Sequence, residues 1–114
     1  MYKFYFEKLE VWQNARQFVK DIYKVTEAFP KEEQFGITNQ IRRASLSITA
    51  NISEGFSRQS NKEKSRFINI AYSSCWEIIN FLILSNDLDF LKEKEYAKLR
   101  SDIEYISNQL NALY

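Results

Sequence analysis

The chain of 114 residues contains no histidine and a single cysteine, Cys75. Without histidine, the commonest general base and the commonest metal ligand are both missing. One cysteine cannot build a thiolate zinc site, and it cannot close an internal disulfide. Cys75 lies in an apolar stretch, where a buried small hydrophobe is expected rather than a reactive thiol. Serines are numerous, but a serine nucleophile here would need a lysine as its base. No lysine falls inside an apolar seam, where it would be desolvated. Glu54 and Glu77 are the only carboxylates well inside the two central helical stretches. A di-metal bundle needs glutamates from several helices and Glu-x-x-His pairs, so that pattern is absent. Gly36 and Gly55 are the only glycines, too few for a phosphate-cradling loop. These residues predict a protein that is not an enzyme and holds no cofactor or metal.

What remains is charge. The net value is +1, but it is unevenly spread. Between Ile37 and Arg66 the bases Arg42, Arg43, Arg58, Lys62, Lys64 and Arg66 face only Glu54 and Glu63, which leaves that segment at +4 and the rest at −3. A basic patch of this kind suits the phosphate backbone of RNA or DNA, held without reading sequence. The plainer alternative is a solvated turn whose charges serve solubility.

Long periodic segments position these residues. Few turn formers (2 Gly, 1 Pro) stand against 18 aromatics, which argues for an all-α chain. A single domain over residues 1–114 can bury a core of its own without disulfides or metals. Helix 1 is expected from Leu9 to Phe29, with the stripe Trp12, Ala15, Val19, Ile22, Thr26 widened by Phe18, Val25 and Phe29. Pro30 stops it. Residues 31–36 form a connection with room for one helical turn, and Gly36 offers a left-handed corner. Helix 2 is expected to start with Thr38 as its N-cap and to end near Gly55, a candidate C-terminal cap. Its apolar stripe is Ile37, Ile41, Ala44, Ile48, Ile52. Beside it runs a polar ladder of Gln40, Arg43, Ser47, Asn51 and Glu54. That ladder either hydrogen-bonds across helices to fix register or lines a binding groove. Glu54 and Arg58 are spaced for an i,i+4 pair.

Ser60 followed by Glu63 is a capping box, so helix 3 starts there and runs to about Asn86. One apolar face holds Phe67, Ile70, Ala71, Ser74, Ile78, Phe81, Leu82 and Ser85. A second holds Ile68, Tyr72, Cys75, Ile79 and Ile83, with Trp76 and Leu84 further round. That is more apolar surface than one small bundle can bury, which predicts a homo-oligomer with helix 3 at the interface. The alternative is that the aromatic lead at residues 1–7 covers the second face. Helix 4, about Lys92 to Leu113, carries the seam Tyr96, Leu99, Ile103, Ile106, Leu110, Leu113. Four helices on short loops predict an antiparallel up-down-up-down bundle. Residues 1–8 (MYKFYFEK) have no signal-peptide core, and no run approaches the ~20 apolar residues of a membrane span. The expected location is therefore the cytoplasm.

The segments Leu9-Glu10-Val11-Trp12, Phe29-Pro30, Glu33-Gln34-Phe35-Gly36-Ile37-Thr38, Gln40-Ile41-Arg42-Arg43-Ala44, Ser47-Ile48 and Asn51-Ile52-Ser53-Glu54-Gly55, then Arg66-Phe67 and Ala71, carry a resemblance over nearly the whole chain. It resembles the four-helix-bundle proteins encoded in intervening sequences of bacterial 23S ribosomal RNA genes. Ser53 stands where such proteins usually have alanine. The resemblance implies a four-helix bundle assembled as a homopentamer. It also implies kinship with the accessory variability protein of diversity-generating retroelements, a basic pentamer that binds nucleic acid and a reverse transcriptase. This chain is much less basic. Two functions follow as expectations: an oligomer that binds RNA or DNA through its basic end, or a scaffold for a protein partner without nucleic acid.

Overall fold

The computed structural model describes residues 1–113. Four helices form an antiparallel up-down-up-down bundle: α1 Glu10–Thr26, α2 Ile37–Gly55, α3 Asn61–Asp87 and α4 Glu93–Asn111. Short 3₁₀ turns at Tyr5–Lys8 and Lys31–Glu33 precede α1 and α2. Helices adjacent in sequence pack side by side, and α4 closes the ring against α1. The α2–α3 contact is the most extensive and the α1–α4 contact the least. The starts of α1 and α3 and the ends of α2 and α4 therefore share one end of the molecule.

The core follows the helical period. It is built from Ala15, Phe18 and Ile22 of α1, Ile41, Ile48 and Ile52 of α2, Ala71, Cys75, Ile78 and Leu82 of α3, and Leu99, Ile103, Ile106 and Leu110 of α4. Each such isoleucine or leucine contributes about 1.5–3 kcal/mol by leaving water. On α1 the buried stripe is rotated from the expected one. Val11 and Phe18 are buried, whereas Trp12 and Val19 are half-buried. Trp12 instead packs edge-on against Phe6, ring centres 5.1 Å apart.

Several expected boundaries move. The α-type bonding of α1 ends at Thr26, because Glu27, Ala28 and Phe29 donate to carbonyls only three residues back. Thr26 Oγ1 donates to the Ile22 carbonyl at 2.6 Å and accepts from Arg42 at 2.8 Å. Thr38 is not the N-cap of α2. Gly36 holds that position, and Thr38 lies buried inside the first turn with its hydroxyl unpartnered. The Ile37 amide donates to Glu33 Oε1 at 3.3 Å instead. A Cβ on Gly36 would fall 2.8 Å from that same oxygen, so the glycine makes room for the cap.

Neither glycine has a positive φ. Gly55 is the last helical residue rather than a left-handed cap, and Phe56 follows it in right-handed conformation. A Cβ there would lie 3.2 Å from Phe67 Cβ and 3.3 Å from the Lys64 carbonyl oxygen. Gly55 thus lets α2 and α3 approach closely where they turn. Among the described residues the left-handed one is Asp89, at φ 62°. It ends α3 in a Schellman arrangement, with Phe90 N–H donating to Ser85 O (2.9 Å) and Asp89 N–H to Asn86 O (3.1 Å).

α3 begins as expected, with Ser60 Oγ accepting from the Glu63 amide at 3.2 Å. The aromatic lead packs on α1 and α2 rather than on α3, and of the second face of α3 Ile68 and Cys75 are buried in the subunit's own core. Ile83 (37% exposed) of that face and Trp76 (60%) further round stay open, with Tyr72 and Ile79 half-buried beside them. By length and composition α3 is also apolar enough to cross a membrane, which corrects the expectation that no run approaches that length. Its apolar surplus comes from having to serve two neighbours, α2 and α4, and an open face as well.

Candidate nucleic-acid interface

The six bases singled out in the sequence divide into two groups. Arg58, Lys62, Lys64 and Arg66 gather at the α2–α3 turn, where all but half-buried Lys64 are exposed. Arg42 and Arg43 do not join them. Arg42 precedes Gly55 by thirteen residues, roughly 20 Å of helix at 1.5 Å per residue. Its guanidinium lies 4.5 Å over the Tyr23 ring and donates to Thr26 Oγ1 and to the Tyr23 carbonyl, so it ties α2 to the end of α1. Arg43 opens instead onto a cleft between α2 and α3, lined also by Gln40, Ala44, Ser47 and Glu77. Sequence proximity misled here because a helix carries neighbours in the chain far along its axis.

At the turn the four bases meet two acids, Glu54 and Glu63, so the local excess is two positive charges. Arg58 pairs with Glu54 at 3.2 Å and Arg66 with Glu63 at 3.3 Å. Both pairs are exposed, a setting in which such contacts contribute little and yield easily to a competing anion. Lys62 and Lys64 have no carboxylate partner within 4 Å among the described residues.

The turn is also aromatic, which charge counting alone could not show. Two guanidiniums approach Phe67, Arg58 at 4.7 Å and Arg66 at 5.2 Å from its ring centre. Lys64 Nζ sits 5.1 Å over Phe56. Tyr5 of the N-terminal turn packs on the same Phe56, ring centres 5.5 Å apart. The lead is fixed in place. Phe4 N–H donates to Glu7 Oε2 at 2.8 Å, and Gln13 Nε2 donates to the Glu7 carbonyl at 2.6 Å. It nevertheless leaves Tyr2 at 77%, Phe4 at 59% and Tyr5 at 64% exposure.

The polar ladder of α2 is divided between an interhelical contact and the wall of a cleft. Its middle is structural: Ser74 Oγ of α3 donates to Ser47 Oγ at 2.9 Å, and Asn51 Nδ2 donates to the same oxygen at 3.0 Å. Its first part, Gln40 and Arg43, lines the cleft that Glu77 faces.

Elsewhere the chemistry is quiet. Burial pushes the Cys75 thiol up to about 12, so it is neither nucleophile nor thiolate ligand at neutral pH. A polar cleft between α1 and α4, lined by Asp21, Lys98, Asp102 and Tyr105 among others, was not signalled by the sequence pattern. Lys98 bridges Asp102 (2.8 Å) and Asp21 (3.7 Å) there. The Asp102 hydrogen bond, followed by the charge of both aspartates, raises the Lys98 pKa. That is opposite to what an amine nucleophile needs. Among the described residues no three His, Cys, Asp or Glu side chains come together as a metal site.

The model of the 23S rRNA-intervening sequence protein family matches residues 7–112. The chain is also similar to a crystal structure from Bacteroides thetaiotaomicron, described as a protein with unknown function from the S23 ribosomal protein family. The two share 25% identity over 90% of this chain and 93% of that one, with a TM-score of 0.84. No curated protein matches. The chain belongs to the 23S rRNA-intervening sequence protein family, in agreement with the residues quoted from Leu9 to Ala71.

Proposed function

We propose that this family member is a non-enzymatic, cytoplasmic bacterial homo-oligomer that binds RNA or DNA by their phosphates at the α2–α3 end of the bundle. One observation carries the reading: Arg58, Lys62, Lys64 and Arg66 meet at a single turn, two of them without a carboxylate partner among the described residues. Phosphate oxygens can take the place of Glu54 and Glu63, because the existing pairs are exposed and weak. Contacts of this type position a protein on a nucleic acid without reading its sequence. A closed ring of subunits, a pentamer by resemblance, would repeat the patch around an axis and multiply its charge. The complete absence of histidine supports a binding role over a catalytic one.

The oligomer rests on the stripe Tyr72, Trp76, Ile79, Ile83, spaced to fall on one line of α3, exposed at Trp76 and Ile83 and half-buried at Tyr72 and Ile79. The same stripe favours the second reading, a scaffold whose partner is another protein. Charge reversal separates the two. Arg58→Glu with Lys62→Glu is expected to weaken binding to a generic labelled RNA or DNA by more than tenfold at low salt, while the far-UV spectrum stays helical. Unchanged affinity in the double variant removes this turn as the site, and the scaffold reading then leads.

A further inference from the structure

We infer that this end takes nucleic acid in single-stranded form, its bases stacking on the exposed rings of the N-terminal lead while the cations of the α2–α3 turn hold its phosphates. The inference rests on the phosphate-binding reading above and narrows its substrate class. The juxtaposition of rings and cations points there. Phe67 is approached by Arg58 and Arg66, Phe56 carries Lys64 and meets Tyr5, and the lead continues outward from Tyr5. Phe4 and Phe6 stack with planes only 11° apart at 6.3 Å, and Tyr2 stands edge-on to Phe4 at 5.2 Å.

Exposed rings beside a cluster of cations suit a strand whose bases and phosphates are both open to contact. Every base has a π-face, so stacking tolerates any sequence. A duplex hides those faces inside its stack and would engage the cations alone. The lead is also prepared for this task. Its conformation is held by the Glu7 and Gln13 hydrogen bonds, so stacking would not have to order a loose tail. Tyr2, Phe4 and Tyr5 stay more than half exposed although a well-packed core lies beside them, so burial within the subunit does not account for three adjacent rings. An anionic membrane is the other surface that attracts rings beside cations. Here the lead is a short turn rather than one face of a continuous amphipathic helix, and the cations beside it belong to the separate α2–α3 turn, which favours the strand.

The experiment uses the full chain and four probes in fluorescence anisotropy: 15-nucleotide oligo-U and oligo-dT, and mixed-sequence RNA and DNA duplexes of the same length. Vesicles of phosphatidylcholine with phosphatidylserine form a fifth arm, read by co-sedimentation. The variants are Tyr2→Ala with Phe4→Ala, both on exposed rings, and Tyr5→Leu, which keeps an apolar contact on Phe56. Single strands are expected to bind at least tenfold tighter than duplexes. Each ring removed is expected to weaken single-strand binding by about tenfold and leave duplex binding unchanged. Equal affinity for strands and duplexes, unaffected by the ring variants but lost on Arg58→Glu with Lys62→Glu, overturns the stacking inference and keeps the phosphate site. No binding to any of the four nucleic acids at ~50 mM salt overturns both. Vesicle binding without nucleic-acid binding overturns both in favour of a membrane surface. Binding of both oligo-U and oligo-dT above the duplexes, whichever of the two is preferred, supports the inference.

Discussion

Replacing Gly55 with alanine sets two known effects against each other. Removing a helical glycine normally gains up to about 1 kcal/mol, because alanine loses less backbone entropy on folding. At this position the added Cβ would lie 3.2 Å from Phe67 Cβ and 3.3 Å from the Lys64 carbonyl oxygen. Non-bonded carbons prefer roughly 3.5–4.0 Å, so a few tenths of an ångström must be found. Neither neighbour can swing aside, since one is the first side-chain carbon and the other is backbone. The α2–α3 turn itself has to open. Overpacking of this kind costs about 1–3 kcal/mol, and at the last helical position the gain is below its maximum. Gly55→Ala should therefore destabilise by about 1 kcal/mol, a fall of several degrees in Tm for a domain this size. Thermal and urea unfolding followed at 222 nm, at matched protein concentration, measures it. Because Arg58, Lys64 and Phe67 surround the turn, low-salt nucleic-acid affinity should fall as well. A variant about 1 kcal/mol more stable than the parent would mean that the close approach of α2 and α3 is not what keeps glycine there.

Two further outcomes follow from buried groups. The unpartnered hydroxyl of Thr38, 7% exposed, should make Thr38→Val stabilising by about 1 kcal/mol in urea unfolding, and a loss of that size would reveal a hydrogen-bond partner for the hydroxyl. For Cys75, burial holds the folded thiol protonated up to about 12 against an ordinary value of 9.0. Below pH ~9 both states keep the proton and nothing changes. Above it only the unfolded chain ionises, so stability falls with a slope approaching ~1.4 kcal/mol per pH unit until the folded pKa is reached. Cys75→Ala should remove that part of the alkaline slope, and the native thiol should stay silent to a disulfide reagent until the chain unfolds.

Much of the bundle was legible because helical periodicity is a local signal that tertiary packing reinforces. The stripe Ile41, Ala44, Ile48, Ile52 and the seam Leu99, Ile103, Ile106, Leu110 are buried as spaced, and the Ser60–Glu63 box opens α3. Helix ends were harder to place. Thr38 has the right chemistry for an N-cap, but Glu33, five residues earlier, reaches across the turn and accepts from the Ile37 amide instead. A left-handed residue was expected at a glycine. It is Asp89, whose short polar side chain tolerates that region, and both glycines serve close approach instead. On α1 the apolar residues cover too wide an arc for spacing to choose between Trp12 and Val11 as the stripe's centre. The candidate site was half visible. Arg58, Lys62, Lys64 and Arg66 cluster as the sequence suggested, while Arg42 is spent on Tyr23 and Thr26. The pairing of Tyr5 with Phe56 joins positions fifty-one residues apart and has no local signature.

The central claim is that the α2–α3 end binds nucleic-acid phosphates, and its most direct test is the salt dependence of affinity for a single-stranded oligonucleotide. Three or four of the clustered bases engaging phosphate give a log–log slope of about −2 to −3, so affinity should fall about twenty- to fifty-fold between ~50 and ~200 mM salt. More subunits engaging one strand would steepen it. A flat profile, or no binding at ~50 mM salt, would contradict the claim and leave the charges at Arg58, Lys62, Lys64 and Arg66 as those of a solvated turn.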